Sequence, residues 1–384
     1  MIKFKEGLYD LNPNENFNFQ LNRLINWDGG DLEEVRSISR EIKTIPDWSD
    51  KLIQIGDIAL KDGRTDNAIA YYRMSEFFMN ADDPRKLEYY KIARKLFYDY
   101  YKVYFDSGKV KRYDVKYEDA SMPVMHVSAE GIKKDTIVLH GGNDSYMEEL
   151  FFSMLYMAEN GYEVYLFEGP GQGKVLREYD IKFTNEWEKP VKAIIDYFDL
   201  DDITLIGVSL GGMLAPRAAA FENRIKRVVC WALFPSFESL GMNDIPKVGQ
   251  FLFKGIMNLN MKSIINWMGK KLMKKEPKME WVINQGMYAY GGDSTFEYIK
   301  NIQKFTMLDI ADKINQDILI IHGKDDHLID WKLYRLQIEA LENAKSVTFR
   351  LFTKEENASD HCQCGNTKLA LDTVLNWIDT IKKR

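Results

Sequence analysis

The segment Ile203-Thr-Leu-Ile-Gly-Val-Ser-Leu-Gly-Gly-Met213 constrains this chain more than any other. Strand-type residues run into Gly207-Val208-Ser209-Leu210-Gly211, and a helical pattern starts near Gly212. This is the nucleophile-elbow pattern, a G-x-S-x-G turn between a strand and a helix. The glycines have a steric reason. A serine at the tip of so tight a turn is held at strained φ/ψ, and side chains two residues before and after it would collide. Ser209 is therefore expected to project from a sheet end. The positive end of the next helix then lies at its Oγ, and the Leu210 N–H points where a carbonyl oxygen would become an oxyanion.

A serine hydroxyl is a weak nucleophile at neutral pH, so an imidazole must accept its proton and a carboxylate must orient that imidazole. The chain has five histidines, His126, His140, His322, His327 and His361. Around such an elbow the partners follow in the order serine, acid, histidine. Ile320-Ile-His-Gly-Lys-Asp-Asp-His-Leu-Ile329 follows the seventh predicted strand, and Phe352-Thr-Lys-Glu-Glu-Asn-Ala-Ser-Asp-His-Cys362 follows the eighth. Asp326 and His361 fit that order. Asp325 competes, but the Gly323-x-x-Asp326-x-x-Ile329 spacing lets Ile329 re-enter the core, which leaves Asp325 to hold the loop. His322 and His327 are expected to shape the loop or lie at the surface, and His126 has no reactive neighbour. The base should fail as His361 gains a proton below neutrality.

A second oxyanion donor is expected in Ile137-Val-Leu-His-Gly-Gly-Asn143, directly after the first buried parallel strand. The choice is the Gly142 N–H, with Asn143 able to assist by backbone or side chain. His140 is read as structural, its ring bonded to the loop backbone. Gly169-Pro-Gly-Gln-Gly-Lys174 is one residue short of a phosphate loop and has Val175 where a hydroxyl would bind magnesium. A dinucleotide fingerprint fails at Lys174. His361-Cys362-Gln363-Cys364 is too tightly spaced for a tetrahedral metal site, so Cys362 is expected to pack behind the histidine.

Residues 1–107 read as a helical domain, with apolar spacing over 32–45, 48–60, 68–79 and 87–105 and turn signals at Asp62-Gly63 and Ala81-Asp82-Asp83-Pro84. A stripe of tyrosines there (71, 72, 89, 90, 98, 101 and 104) is expected to cover one domain with the other. From residue 108 to 384 short β-type runs alternate with helices, the pattern of an α/β domain. Strands are expected at 110–117, 123–128, 136–139, 163–167, 203–206, 227–233, 318–321 and 347–351. An insertion over about 235–316 has helical spacing only and reads as a lid. Its methionines, Met257, Met261, Met268 and Met273, would either line a substrate entrance or pack the lid onto the core. With 52 Lys and Arg against 58 Asp and Glu, the net charge of −6 gives no general attraction for nucleic acid or an acidic membrane. No apolar run of signal-peptide or membrane-spanning length occurs, and the three cysteines make a poor disulfide framework, so a cytoplasmic location is expected.

With its elbow, its acid and its histidine, the 108–384 region resembles the α/β-hydrolases. These have a mostly parallel sheet of about eight strands flanked by helices. Three further segments are more specific: His140-Gly-Gly-Asn-Asp-Ser-Tyr146, Glu168-Gly-Pro-Gly-Gln-Gly173 and Asp360-His-Cys-Gln363. Together with an N-terminal helical cap they resemble the group containing 2,6-dihydroxypseudooxynicotine hydrolase, fermentation-respiration switch esterases and fungal polyketide-shortening hydrolases. That resemblance implies hydrolysis without a cofactor or metal, of an ester or of a carbon–carbon bond beside a ketone in a small molecule. It leaves a homodimer open, and it makes Glu238, in Phe234-Pro-Ser-Phe-Glu238, a candidate extra acid. An aminopeptidase or acyl-peptide hydrolase uses the same elbow. A non-catalytic binding protein on this fold is the reading of a different class.

Overall fold

The computed structural model describes residues 2–242, 245–275 and 277–384. Eight strands form one sheet: β1 (Val110–Tyr117), β2 (Ala120–Val127), β3 (Asp135–His140), β4 (Tyr162–Phe167), β5 (Ile203–Val208), β6 (Ile225–Trp231), β7 (Asp317–Gly323) and β8 (Ser346–Phe352). Their order is β1-β2-β4-β3-β5-β6-β7-β8. The β1–β2 hairpin and the β2–β4 pair are antiparallel, and every pair from β4 to β8 is parallel. Central strands β3, β5 and β7 are buried at every position, which is why they read as continuous apolar runs. Helices Phe151–Glu159 and Thr367–Ile381 pack together against the sheet, as do Glu188–Tyr197 and Gly211–Ala219.

All eight expected strands are present, with ends moved by up to three residues. The N-terminal helices differ more. Glu15–Asn26 was not among the expected helices, although Asn14 caps it and Phe17, Leu21, Leu24 and Ile25 recur at helical spacing. The helix expected over 32–45 ends at Ser39, because Thr44 caps a new helix, Ile45–Lys61, in a capping box with Asp47. Pro84 opens Pro84–Tyr100 as its fixed φ favours.

Part of the tyrosine stripe covers the sheet domain. Tyr71 and Tyr72 direct their hydroxyls to Glu34 and Asp57, while Tyr101 and Tyr104 pack on Phe151 of the sheet domain. Beneath this apolar seam lies a buried ionic cluster. Arg23 meets Glu149 at 2.6 Å, and Arg73 bridges Asp28 and Glu149. The first residues also lie on the sheet domain, with Ile2 N–H on Glu159 and Gly7 N–H on the Gly365 carbonyl. Among the described residues five helices fill the lid: Phe237–Met242, Lys247–Asn258, Lys262–Lys275, Pro277–Tyr290 and Thr295–Ile302. Among the described residues no helix is long and apolar enough to cross a membrane.

Candidate active site

The site is assembled at the carboxyl ends of the parallel strands, where loops from neighbouring strands converge. Ser209 follows β5 with φ 60°, the left-handed conformation expected at the tip of the elbow. Its N–H donates to the Trp231 carbonyl at 2.8 Å, which ties the turn to β6. A Cβ on Gly207 would lie 2.1 Å from the Gly211 carbonyl oxygen, so the turn closes only on glycine. The helix Gly211–Ala219 then starts with its N-terminal end at the serine.

His361 Nε2 lies 2.8 Å from Ser209 Oγ, and His361 Nδ1 lies 2.6 Å from Asp326 Oδ2. The Asp326 side chain is fully buried, and its other oxygen accepts from the Leu328 and Ile329 N–H groups at 2.8 and 3.1 Å. Burial works against its charge, but the His361 imidazole and these donors prevail and hold the carboxyl at about 2. Burial likewise opposes a charge on His361. The Asp326 carboxylate outweighs it and raises the imidazole well above its ordinary 6.5. Asp325 is exposed and contributes its backbone instead, donating to the Ser359 carbonyl at 2.8 Å.

The remaining histidines have other partners. His140 donates from Nδ1 to the Gly141 carbonyl and accepts the Trp187 indole N–H on Nε2, and burial lowers it to about 4. His322 accepts the Leu233 N–H and donates to the Ile329 carbonyl, bracing the loop that carries Asp326. His327 packs on Phe19, and His126 pairs with Glu163 on the far edge of the sheet. Cys362 lies behind the histidine at φ 54°, with its carbonyl accepting the Trp231 indole N–H. No group of three or more metal-ligating side chains occurs among the described residues.

The loop after β3 departs from expectation at one position. Gly142 N–H, the expected second oxyanion donor, donates to Ser145 Oγ at 3.1 Å. What Gly142 supplies is closeness: a Cβ there would lie 2.5 Å from the Val208 carbonyl oxygen and 2.6 Å from the Leu210 nitrogen. Asn143 does line the cavity, and neither its N–H nor that of Leu210 has an acceptor among the described residues. Two neighbours hold the loop in place. Gln172 Nε2 donates to the Gly141 and Gly142 carbonyls, and Glu168 accepts from the Met147 and Lys174 N–H groups. The lid adds Tyr290 OH on Asn143 Oδ1 and Gln285 Nε2 on Asp144 Oδ1.

The cavity at Ser209 has a volume of about 270 Å³ and is walled by Phe19, Phe77, Phe234, Phe237, Trp281 and Tyr290, among others. Phe19, with Gln20 and Arg23, comes from the helix that the sequence reading did not include. None of the four lid methionines lines this cavity. Met257 packs inside the lid, and Met268 lines an outer groove. Glu238 does not line the cavity either. It pairs with Lys254 at 2.5 Å and is 41% exposed.

The family described as the alpha/beta hydrolase fold matches residues 137–356, more than half of the chain. The chain belongs to the α/β-hydrolase family. This hydrolase is 28% identical to the hydrolase acrC of Aspergillus aculeatus over 72% of its own length and 70% of that protein. It is also 28% identical to the 20-hydroxy-prefusarin hydrolase FUS2 of Gibberella moniliformis, over 62% of this chain and 61% of the relative. Among solved structures, 2,6-dihydroxy-pseudo-oxynicotine hydrolase superimposes with a TM-score of 0.65 at 19% identity, covering 93% of this chain and 94% of that one. That likeness extends the shared fold across the N-terminal helices.

Proposed function

We propose that this enzyme is a cofactor-independent serine hydrolase acting on the carbonyl of a medium-sized apolar or aromatic small molecule, either a carboxylic ester or a carbon–carbon bond beside a ketone. The observation that carries the reading is the continuous hydrogen-bonded chain from Ser209 through His361 to the buried Asp326. In this mechanism His361 takes the Ser209 proton as Oγ attacks the carbonyl carbon, Asp326 stabilises the imidazolium, and His361 returns the proton to the leaving group. Water then releases the acyl group by the reverse route. The developing oxyanion is held by the N–H groups of Leu210 and Asn143, next to the helix N-terminus. The aromatic walls suit an apolar acyl or aryl group. FUS2, a relative named for 20-hydroxy-prefusarin, is likewise named for one discrete compound rather than a polymer.

The test is a panel of p-nitrophenyl esters of increasing acyl length, aminoacyl anilides and a vinylogous 1,5-diketone on purified protein. Turnover of the esters or the diketone supports the reading, whereas turnover of the anilides alone replaces it with a peptidase. Two further outcomes are expected. His361 must be neutral to act as base, and its proton affinity is raised, so kcat/KM should climb with pH through a midpoint above 6.5. Asp326, at about 2, stays ionised throughout and adds no second limb near pH 4. A flat profile from about pH 5 to 8 would contradict the assignment of His361. Gly142→Ala should push the loop, and with it the Asn143 N–H, off the elbow and lower kcat by about 10²–10³, the usual cost of a lost oxyanion donor, as measured in steady state with a short ester.

A further inference from the structure

The lid carries a surface that the chemistry at Ser209 does not explain. Residues 247–275 hold seven lysines and no aspartate or glutamate, in a chain whose net charge is −6. In Lys247–Asn258 the side chains of Val248, Phe251 and Leu252 recur at three- and four-residue spacing, and Leu259 continues the line two turns on. They point outward, Val248 72% exposed, Phe251 78% and Leu259 74%, while Phe253 and Met257 pack inward on the opposite side. In Lys262–Lys275 a second exposed row comprises Ile264, Trp267 (63% exposed), Met268 and Leu272, with Ile265 turned inward. Leaving such side chains in water forfeits about 1.5–3 kcal/mol each, and exposed apolar side chains gathered on two consecutive helices mark an interaction surface.

Charge identifies what covers it. A second copy joined across a two-fold axis would set this lysine-rich face against itself. Only Lys254, on Glu238, and Lys262, 3.9 Å from Glu297, have carboxylates within ion-pair distance among the described residues, so most of that charge would meet its like. An apolar stripe flanked by lysines is the pattern of a helix lying in a membrane interface, its apolar side chains among the acyl chains and its lysines at anionic headgroups. Trp267, Met268 and Leu272 also line an outer groove of about 790 Å³, which shares Phe237, Leu240, Val282, Tyr298 and Leu328 with the Ser209 cavity.

We infer that the outer face of the lid docks on an anionic phospholipid bilayer, with the mouth of this groove toward the lipid. The sequence expectation of no membrane partner was drawn from net charge, which averages the lysine-rich lid with an acidic remainder. That the groove admits an amphipathic substrate from the bilayer rests on the serine-hydrolase reading; the docking does not.

The experiment is co-sedimentation of the full-length Ser209→Ala protein with vesicles of phosphatidylcholine, with and without phosphatidylglycerol, so that binding is read without turnover and fails independently of the hydrolase reading. Partition onto the anionic vesicles, weakened by salt and much weaker on phosphatidylcholine alone, is expected. Lys270→Gln with Lys274→Gln should reduce it about tenfold or more, and Phe251→Ser with Leu252→Ser should abolish it. With Ser209 restored, both pairs should hydrolyse a soluble short ester at the parent rate. No binding to the anionic vesicles, equal binding to both kinds, or a sedimentation-velocity dimer that Phe251→Ser dissociates would overturn the proposal.

Discussion

Ser209→Ala and His361→Ala are each expected to lower kcat on an activated ester by about 10⁴–10⁶, and the double variant is expected to fall no further than either single one. Non-additivity follows from the geometry. Ser209 Oγ depends on His361 Nε2 at 2.8 Å to lose its proton, and the other ring nitrogen of His361 is held by Asp326 at 2.6 Å. Residual turnover above the uncatalysed rate should persist, because the Leu210 and Asn143 N–H groups and the cavity are untouched by either change. Steady-state kinetics on the two single variants and the double variant measure this directly. Losses that multiply would mean that the two side chains act separately.

Glu149→Gln should destabilise the protein by about 3–5 kcal/mol, the usual result of breaking a buried ion pair on one side. Glu149 is fully buried between Arg23 and Arg73, at 2.6 and 3.3 Å, and Arg73 already has buried nitrogens without a partner. Removing the carboxylate charge leaves the Arg23 guanidinium buried beside a neutral amide. A fall in the urea midpoint at unchanged slope is the expected signature. Because Arg23 shares a helix with Phe19 and Gln20, which line the cavity, the variant should also lose activity before it unfolds globally. A change below about 1 kcal/mol would show that the cluster contributes little to joining the helices to the sheet.

The chemistry was legible where sterics leave few choices. An elbow serine at positive φ demands glycine around it, the loop after β7 offered two adjacent acids and the loop after β8 one histidine, so Ser209, the pair Asp325 and Asp326, and His361 could be picked out by order. Asp326 was separated from Asp325 by asking which residue precedes the return to the core, and the structure places Ile329 in the core and Asp325 outside it.

What was not legible depends on which way a group points. Gly142 and Asn143 are equally placed in the chain, and the difference between them is the Ser145 hydroxyl that takes the first N–H. Periodicity located the lid helices but not their inner faces, so the methionines could not be told from the Trp281, Gln285 and Tyr290 side chains that reach the cavity. The net charge of −6 concealed a lid with seven lysines. Helix Glu15–Asn26 carried a readable signal in Asn14 and the spacing of Phe17, Leu21 and Leu24, but its contribution of Phe19 to the wall around His361 is a tertiary fact.

The most direct measurement is fluorophosphonate labelling of the folded protein at neutral and mildly acidic pH, followed by peptide mass spectrometry. A hydroxyl activated by His361 should give a single adduct on Ser209, absent from Ser209→Ala and suppressed as the imidazole is protonated. A folded wild-type protein that stays unlabelled, or that is labelled elsewhere, would contradict Ser209 as the nucleophile.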